Sequence, residues 1–154
     1  MINIIAVGRM SKSYYLAAAD EYIKRLKPFT RLNIHEIREA GVKSASADEI
    51  IRAKALEGQA ITAKTQGYKV ALDSGGKELT SEALAELINA KQSSGQSVSF
   101  IIGSAYGLSD EVKSGADEII SFGRATFPHQ LVRVMLLEQI YRAYSIINNS
   151  KYHK

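Results

Sequence analysis

The chemistry open to this chain starts with three histidines, His35, His129 and His153, since imidazole is the side chain that changes protonation near neutral pH. None is spaced from carboxylates in a metal-ligand pattern, so no metal site is expected. Cysteine is absent, which removes disulfides, thiolate zinc sites, cysteine-held clusters and a thiol nucleophile, and suits a reducing cytoplasm. No Gly-x-Ser-x-Gly elbow offers a serine nucleophile. Gly103 and Gly107 follow the apolar run Phe100-Ile-Ile, and glycine at the end of a parallel strand lets backbone approach a ligand. The Gly-x-Gly-x-x-Gly fingerprint is missing there and in the first turn, Gly8-Arg-Met-Ser-Lys12, so a nicotinamide oxidoreductase is disfavoured. Asp73-Ser-Gly-Gly-Lys77 has no Ser or Thr after its lysine and reads as a turn after a strand, not as a P-loop. What remains is a site built from loops at strand ends together with a basic C-terminal segment.

That segment carries the whole net charge of +4. Residues 1–120 balance to zero, whereas the last 34 hold Arg124, Arg133, Arg142, Lys151 and Lys154 against Glu138 alone. A second basic group, Arg9, Lys12, Lys24, Arg25, Lys27 and Arg31, is diluted by Asp20 and Glu21. Both groups fit either a solvated surface or phosphate binding, so the charge permits an RNA partner without requiring one.

The elements that must position these residues follow from the hydropathy pattern. At 154 residues, 45% hydrophobic and 23% charged, the chain has the size and composition of one globular domain spanning 1–154. Strands are expected at Ile2–Val7, Leu32–Ile37, Lys69–Asp73, Val98–Gly103 and Glu118–Phe122. Helices are expected at Lys12–Leu26, Ser46–Lys64 and Ser81–Lys91, with a short turn at Asp110–Gly115; Thr80 or Ser81 can cap the third. The alternation predicts an α/β fold, a mostly parallel sheet with helices on both faces. No window reaches the length of a membrane span, and Met1–Gly8 lacks the basic flank of a signal peptide, so a cytoplasmic protein with no membrane partner is expected.

The last helix, Pro128–Asn148, has no broad polar face. Burying it on several sides asks for more core than a small domain supplies, which points to a homodimer, with a central core helix in a monomer as the alternative. Within it, Glu138 can pair with Arg142 four residues on. Arg133 has no acid at that spacing. It faces an anionic ligand or partner chain, or packs its stem and sends its head to water.

Four segments together carry a specific resemblance: Leu72-Asp73; Phe100-Ile-Ile-Gly-Ser-Ala-Tyr-Gly-Leu-Ser109; Thr126-Phe-Pro-His-Gln-Leu-Val-Arg-Val-Met-Leu-Leu-Glu-Gln-Ile-Tyr-Arg-Ala-Tyr144; and Lys151-Tyr-His-Lys154. Across essentially the whole chain the sequence resembles the ribosomal RNA large subunit methyltransferase H family, small members of the SPOUT superfamily. One departure stands out, because that family usually has a second glycine where this chain has Ser104.

The resemblance implies a C-terminal trefoil knot of SPOUT type, which general topology rules would not suggest. It implies S-adenosyl-L-methionine as cofactor, held by Leu72, Gly103 and the loop Phe122, Gly123, Arg124, Ala125, Thr126 and Phe127. It implies methyl transfer to N3 of a pseudouridine of large-subunit (23S) ribosomal RNA in the assembled ribosome, by a homodimer that shares its active site, without a metal. On that reading His129 or His153 accepts the proton or orients the substrate. Arg133 and Arg142 bind phosphate or base carbonyls, and Tyr152 stacks or hydrogen bonds. A non-catalytic RNA- or ribosome-binding module is the alternative.

Overall fold

The computed structural model describes residues 1–152. Its elements in order are β1 (Ile2–Val7), α1 (Ser13–Leu26), β2 (Leu32–Ile37), α2 (Ala47–Lys64), β3 (Tyr68–Glu78), α3 (Ser81–Ser93), β4 (Val98–Ile102), α4 (Asp110–Ser114), β5 (Glu118–Ser121) and α5 (His129–Ile147). The five strands form one sheet in the order β2-β1-β4-β3-β5, and every pairing is parallel. The α/β architecture expected from the sequence is the one observed.

Strand residues point alternately to opposite faces, so a sheet covered on both sides needs apolar residues at every position. β1 and β4 are buried throughout and apolar at every position but one each, Asn3 and Ser99, whose side chains hydrogen bond to each other at 3.4 Å. Ile2, Ile4, Ala6, Val98, Phe100 and Ile102 join the core under α1, α3 and α5, while Ile5, Val7 and Ile101 join Ile61, Leu108 and Val112 under α2 and α4. The helices begin where their caps dictate. Ser46, Thr80 and Ser109 accept hydrogen bonds from the amides of Glu49, Ala83 and Val112. Lys12, before α1, supplies no side-chain cap; instead the Gln130 side chain of α5 accepts from the Ser11 and Lys12 amides at 3.0 and 3.3 Å.

One element departs from the expected outline. Asp73–Lys77 is not a turn that ends β3. The strand steps out of register after Leu72 and returns at Lys77, so that both residues pair with Ile120. Gly76 makes the return possible, because a Cβ there would lie 2.7 Å from the Ile120 carbonyl carbon. The excursion leaves Asp73 and Ser74 standing at the carboxyl end of the sheet.

α5 lies across the sheet in contact with α1 and α3. Leu136, Leu137, Ile140, Ala143 and Tyr144 are buried, whereas Val132, Val134, Met135, Tyr141, Ile146 and Ile147 are only half covered. Among the described residues no helix is long and apolar enough to cross a membrane.

Candidate cofactor cleft and active site

The carboxyl ends of β3, β4 and β5 converge on a cleft of about 180 Å³. Open parallel sheets bind ligands at such ends, where connecting loops leave a crevice. Of the eight residues implied as cofactor contacts, the structure gathers seven around it: Leu72, Gly103, Phe122, Gly123, Ala125, Thr126 and Phe127. Arg124 does not line the cleft and is exposed. Asp73, Ser74, Ser104, Ala105, Gly107 and Ser121 complete the polar and backbone part of the wall. Sequence reasoning missed the contribution of Asp73 and Ser74, whose only signal was the Gly75-Gly76 pair that releases the excursion.

The β4 end is folded tightly. The Gly107 amide donates to the Ser104 carbonyl at 2.9 Å, and Gly107 has a φ of +79°. A Cβ on Gly103 would stand 2.7 Å from the Gly107 carbonyl carbon, so this turn admits no side chain at position 103. On the β5 side, the Ser121 hydroxyl accepts from the Gly123 amide at 3.1 Å and donates to the Gly123 carbonyl at 2.8 Å, which fixes the start of the 122–127 loop. Apolar Leu72, Ile102, Ile120 and Phe127 suit a flat base, and the hydroxyl and backbone groups suit a sugar and an amino acid.

His129, the first residue of α5, stands at the rim of this cleft. Its Nε2 would be 3.4 Å from a Cβ on Gly8, where φ is +86°. Gly8 therefore lies against the imidazole, and it is the positive φ that favours glycine there.

Arg133 corrects both expectations held for it. Its head neither reaches water nor is free to face an anionic ligand, because the side chain is 2% exposed and both terminal nitrogens are engaged within the chain. One donates to Glu36 at 2.7 Å and the other to the Gly8 carbonyl at 2.8 Å. Glu36 also accepts from the Met10 amide at 3.0 Å. Burial lowers the Arg133 pKa while Glu36 opposes the shift, so the guanidinium is a charge retained by its partner. The acid that local spacing could not supply comes from β2, 97 residues away in sequence. Arg133 thus spends its terminal nitrogens on Gly8, which lies next to His129, and on Glu36, which in turn holds the Met10 amide.

The pairing expected between Glu138 and Arg142 is present at 2.6 Å. Tyr152 folds back onto it, its hydroxyl donating to Glu138 at 3.1 Å and its ring lying 4.9 Å from the Arg142 guanidinium carbon. Burial is the main cause that pushes the Tyr152 phenol up, with Tyr22 and Glu138 adding to it. Glu138 sits nine and Arg142 thirteen residues beyond His129, roughly 14 and 20 Å along the helix axis. Within one chain the implied catalytic residues therefore fall into two groups. His153 lies outside the described residues. Among those described, no group of His, Asp or Glu side chains could hold a metal ion.

Comparison with known proteins follows the same outline. A family profile described as "Predicted SPOUT methyltransferase" matches residues 1–153. Proteins named ribosomal RNA large subunit methyltransferase H from Halothermothrix orenii and Carboxydothermus hydrogenoformans are 43% and 44% identical over 157 and 160 residues, each alignment covering 99% of both chains. In fold, the chain is similar to a solved probable methylase family protein from Haemophilus influenzae Rd KW20 (TM-score 0.57, 14% identity, 99% of this chain and 70% of that one).

Proposed function

This chain belongs to the SPOUT methyltransferase family, and from that premise we propose that it methylates N3 of a pseudouridine of large-subunit ribosomal RNA in the assembled ribosome. The observation that carries the reading is the cleft at the strand ends, where seven of the implied cofactor contacts and His129 share one wall. The ribosomal substrate is carried over from the relatives, which align along their whole length. A cytoplasmic location, a single domain and the knotted threading of the C-terminal segment belong to the same proposal.

S-adenosyl-L-methionine, the methyl donor of the family, supplies a methyl group already activated on sulfur, so the protein's task is chiefly positioning. Leu72, Gly103, Phe122, Gly123 and Ala125–Phe127 would hold it in the cleft. His129 at the rim or His153 of the tail takes up the N3 proton or orients the base. Arg142 and Tyr152 steady the substrate. Arg133 contributes from behind, by fixing Gly8 against His129.

The two groups come together when the enzyme works as a homodimer. Arg142, and Tyr152 packed against it from beyond the helix, lie too far from their own His129 to act beside it, and the half-covered Val134, Met135, Ile146 and Ile147 offer a second copy an apolar seat. The partner's helix then delivers its Arg142 and Tyr152 to the cleft.

The test is transfer of labelled methyl from the cofactor to unmethylated whole ribosomes, separated subunits and free ribosomal RNA, with mapping of the modified base. Label at one pseudouridine of large-subunit RNA in whole ribosomes is expected. Cofactor binding with no label in any sample refutes this substrate, and no cofactor binding favours a non-catalytic RNA-binding module.

A further inference from the structure

α2 lines none of the cleft, yet it buries a carboxylate directly behind it. Glu57 is 4% exposed, and among the described residues no Lys, Arg or His forms an ion pair with it. A carboxylate kept from water without a cation is costly unless its oxygens are used. Both are used. One accepts from the Ser104 hydroxyl and the other from the Ala40 amide, each at 3.0 Å.

The two partners belong to different segments. Ser104 opens the tight turn that runs to Leu108, bridged to Gly107 and lining the cleft. Ala40 lies in the connection 38–45, which leaves β2 beside the catalytic rim. Next to Glu57, Gly58 lets the helix press against the far end of the same turn, where a Cβ would stand 2.9 Å from the Ser109 hydroxyl. α2 thus grips the turn at both ends, by a hydrogen bond at Ser104 and by close packing at Ser109.

We propose that Glu57 is a positioning residue for cofactor binding: through Ser104 it sets the shape of the 103–108 turn, and through Ala40 it ties the 38–45 connection to that turn. The proposal rests on the reading that the cleft holds S-adenosyl-L-methionine. It gives Ser104 a use, since a glycine at that position has no hydroxyl to offer Glu57.

Substitution chemistry separates positioning from mere stability. In Glu57→Gln, the amide oxygen can accept from Ala40 while the amide nitrogen donates to the Ser104 hydroxyl, so both contacts survive. Glu57→Leu keeps the bulk and strands both partners. Calorimetric titration of the full chain with S-adenosyl-L-methionine, below the melting temperature of every variant, should find Glu57→Gln within threefold of the unaltered protein and Glu57→Leu weakened tenfold or more. Ser104→Ala should weaken binding about fivefold alone and less than twofold when added to Glu57→Leu, because both act through one contact.

Unchanged affinity in folded Glu57→Leu, or losses from the two substitutions that simply multiply, would overturn the role of Glu57. Should Glu57→Leu not fold, Ser104→Ala decides: an undiminished affinity refutes the proposal and a fivefold loss with Glu57→Gln intact supports it. No binding by the unaltered protein would instead overturn the cleft reading, and this proposal with it.

Discussion

Glu36→Gln isolates the charge in the network behind His129. The glutamine amide oxygen can take the place of the Glu36 oxygen that accepts from the Met10 amide at 3.0 Å and from Arg133 at 2.7 Å. The hydrogen bonds then survive, and the change removes only the negative charge facing a buried guanidinium. Two unit charges about 4 Å apart are worth ~1 kcal/mol in water and ~4 kcal/mol at an effective dielectric of 20. Arg133 is 2% exposed but the Glu36 side chain is 36% exposed, so solvent screens one end of the pair and a loss of about 2 kcal/mol is expected. For a chain of this length that corresponds to a fall of roughly 4–8 °C in Tm, read by circular dichroism at neutral pH. Adding Arg133→Met removes the stranded charge and should recover part of the loss, as replacement of buried ion pairs by apolar residues generally does. A Glu36→Gln protein melting within about 1 °C of the unaltered one would refute the claim that Glu36 neutralises Arg133.

Three further outcomes follow from the same geometry. Gly103→Val forces a branched side chain to within 2.7 Å of the Gly107 backbone and should weaken cofactor binding by calorimetry about tenfold or more; normal affinity would show that this turn is not the cofactor cradle. His153→Ala should leave cofactor binding intact and lower methyl transfer by about tenfold or more, the low end of what a lost proton acceptor costs, and unchanged turnover would remove it from the catalytic set. Burial raises the phenol pKa of Tyr144 and of Tyr152 above the ordinary 10, so the folded state holds these protons more tightly than the unfolded chain. The stability they contribute is whole below pH 10 and is lost as pH climbs above it; denaturant midpoints measured from pH 8 to 11 should fall less steeply for Tyr152→Phe than for the unaltered protein.

The sequence disclosed those features whose cause is local. β1 and β4 are legible as largely apolar runs, each broken by one polar residue, because both faces of the sheet are covered, and the Glu138–Arg142 pair is legible because a helix brings residues four apart together. The extension of β3 was not legible. Asp73-Ser-Gly-Gly-Lys77 has the composition of a turn, and only the approach of β5 to a glycine backbone turns it into an excursion that rejoins the strand. Arg133 was misread for a related reason. Its partner Glu36 belongs to a strand 97 residues earlier, and neither periodicity nor composition carries information across that distance.

The contacts hidden from sequence reasoning share one place in the fold. Glu36, Arg133 and Glu57 line none of the cleft, and each gives at least one polar atom to a connection that leaves β1, β2 or β4. Loops at strand ends carry the contacts to cofactor and substrate, and loops hold a shape only when their free backbone groups find partners. Gly8 and Ala40 find theirs in Arg133 and Glu57, as Ser104 finds one for its hydroxyl. The residues that would touch the ligands are thus read from motifs, whereas those that fix the motifs in space emerge only once the sheet has brought distant segments together. The split along α5 extends the same logic beyond one chain. His129 stands against its own Gly8, just past β1, whereas Arg142 and Tyr152 are held by Glu138, nine residues further along α5, on a face that a second copy would cover. A site divided in this way works only as fast as the dimer is populated, so specific methyl transfer should fall on dilution with the same midpoint as the dimer measured by sedimentation. Transfer that stays constant per chain well below that midpoint would return all of the chemistry to a single chain.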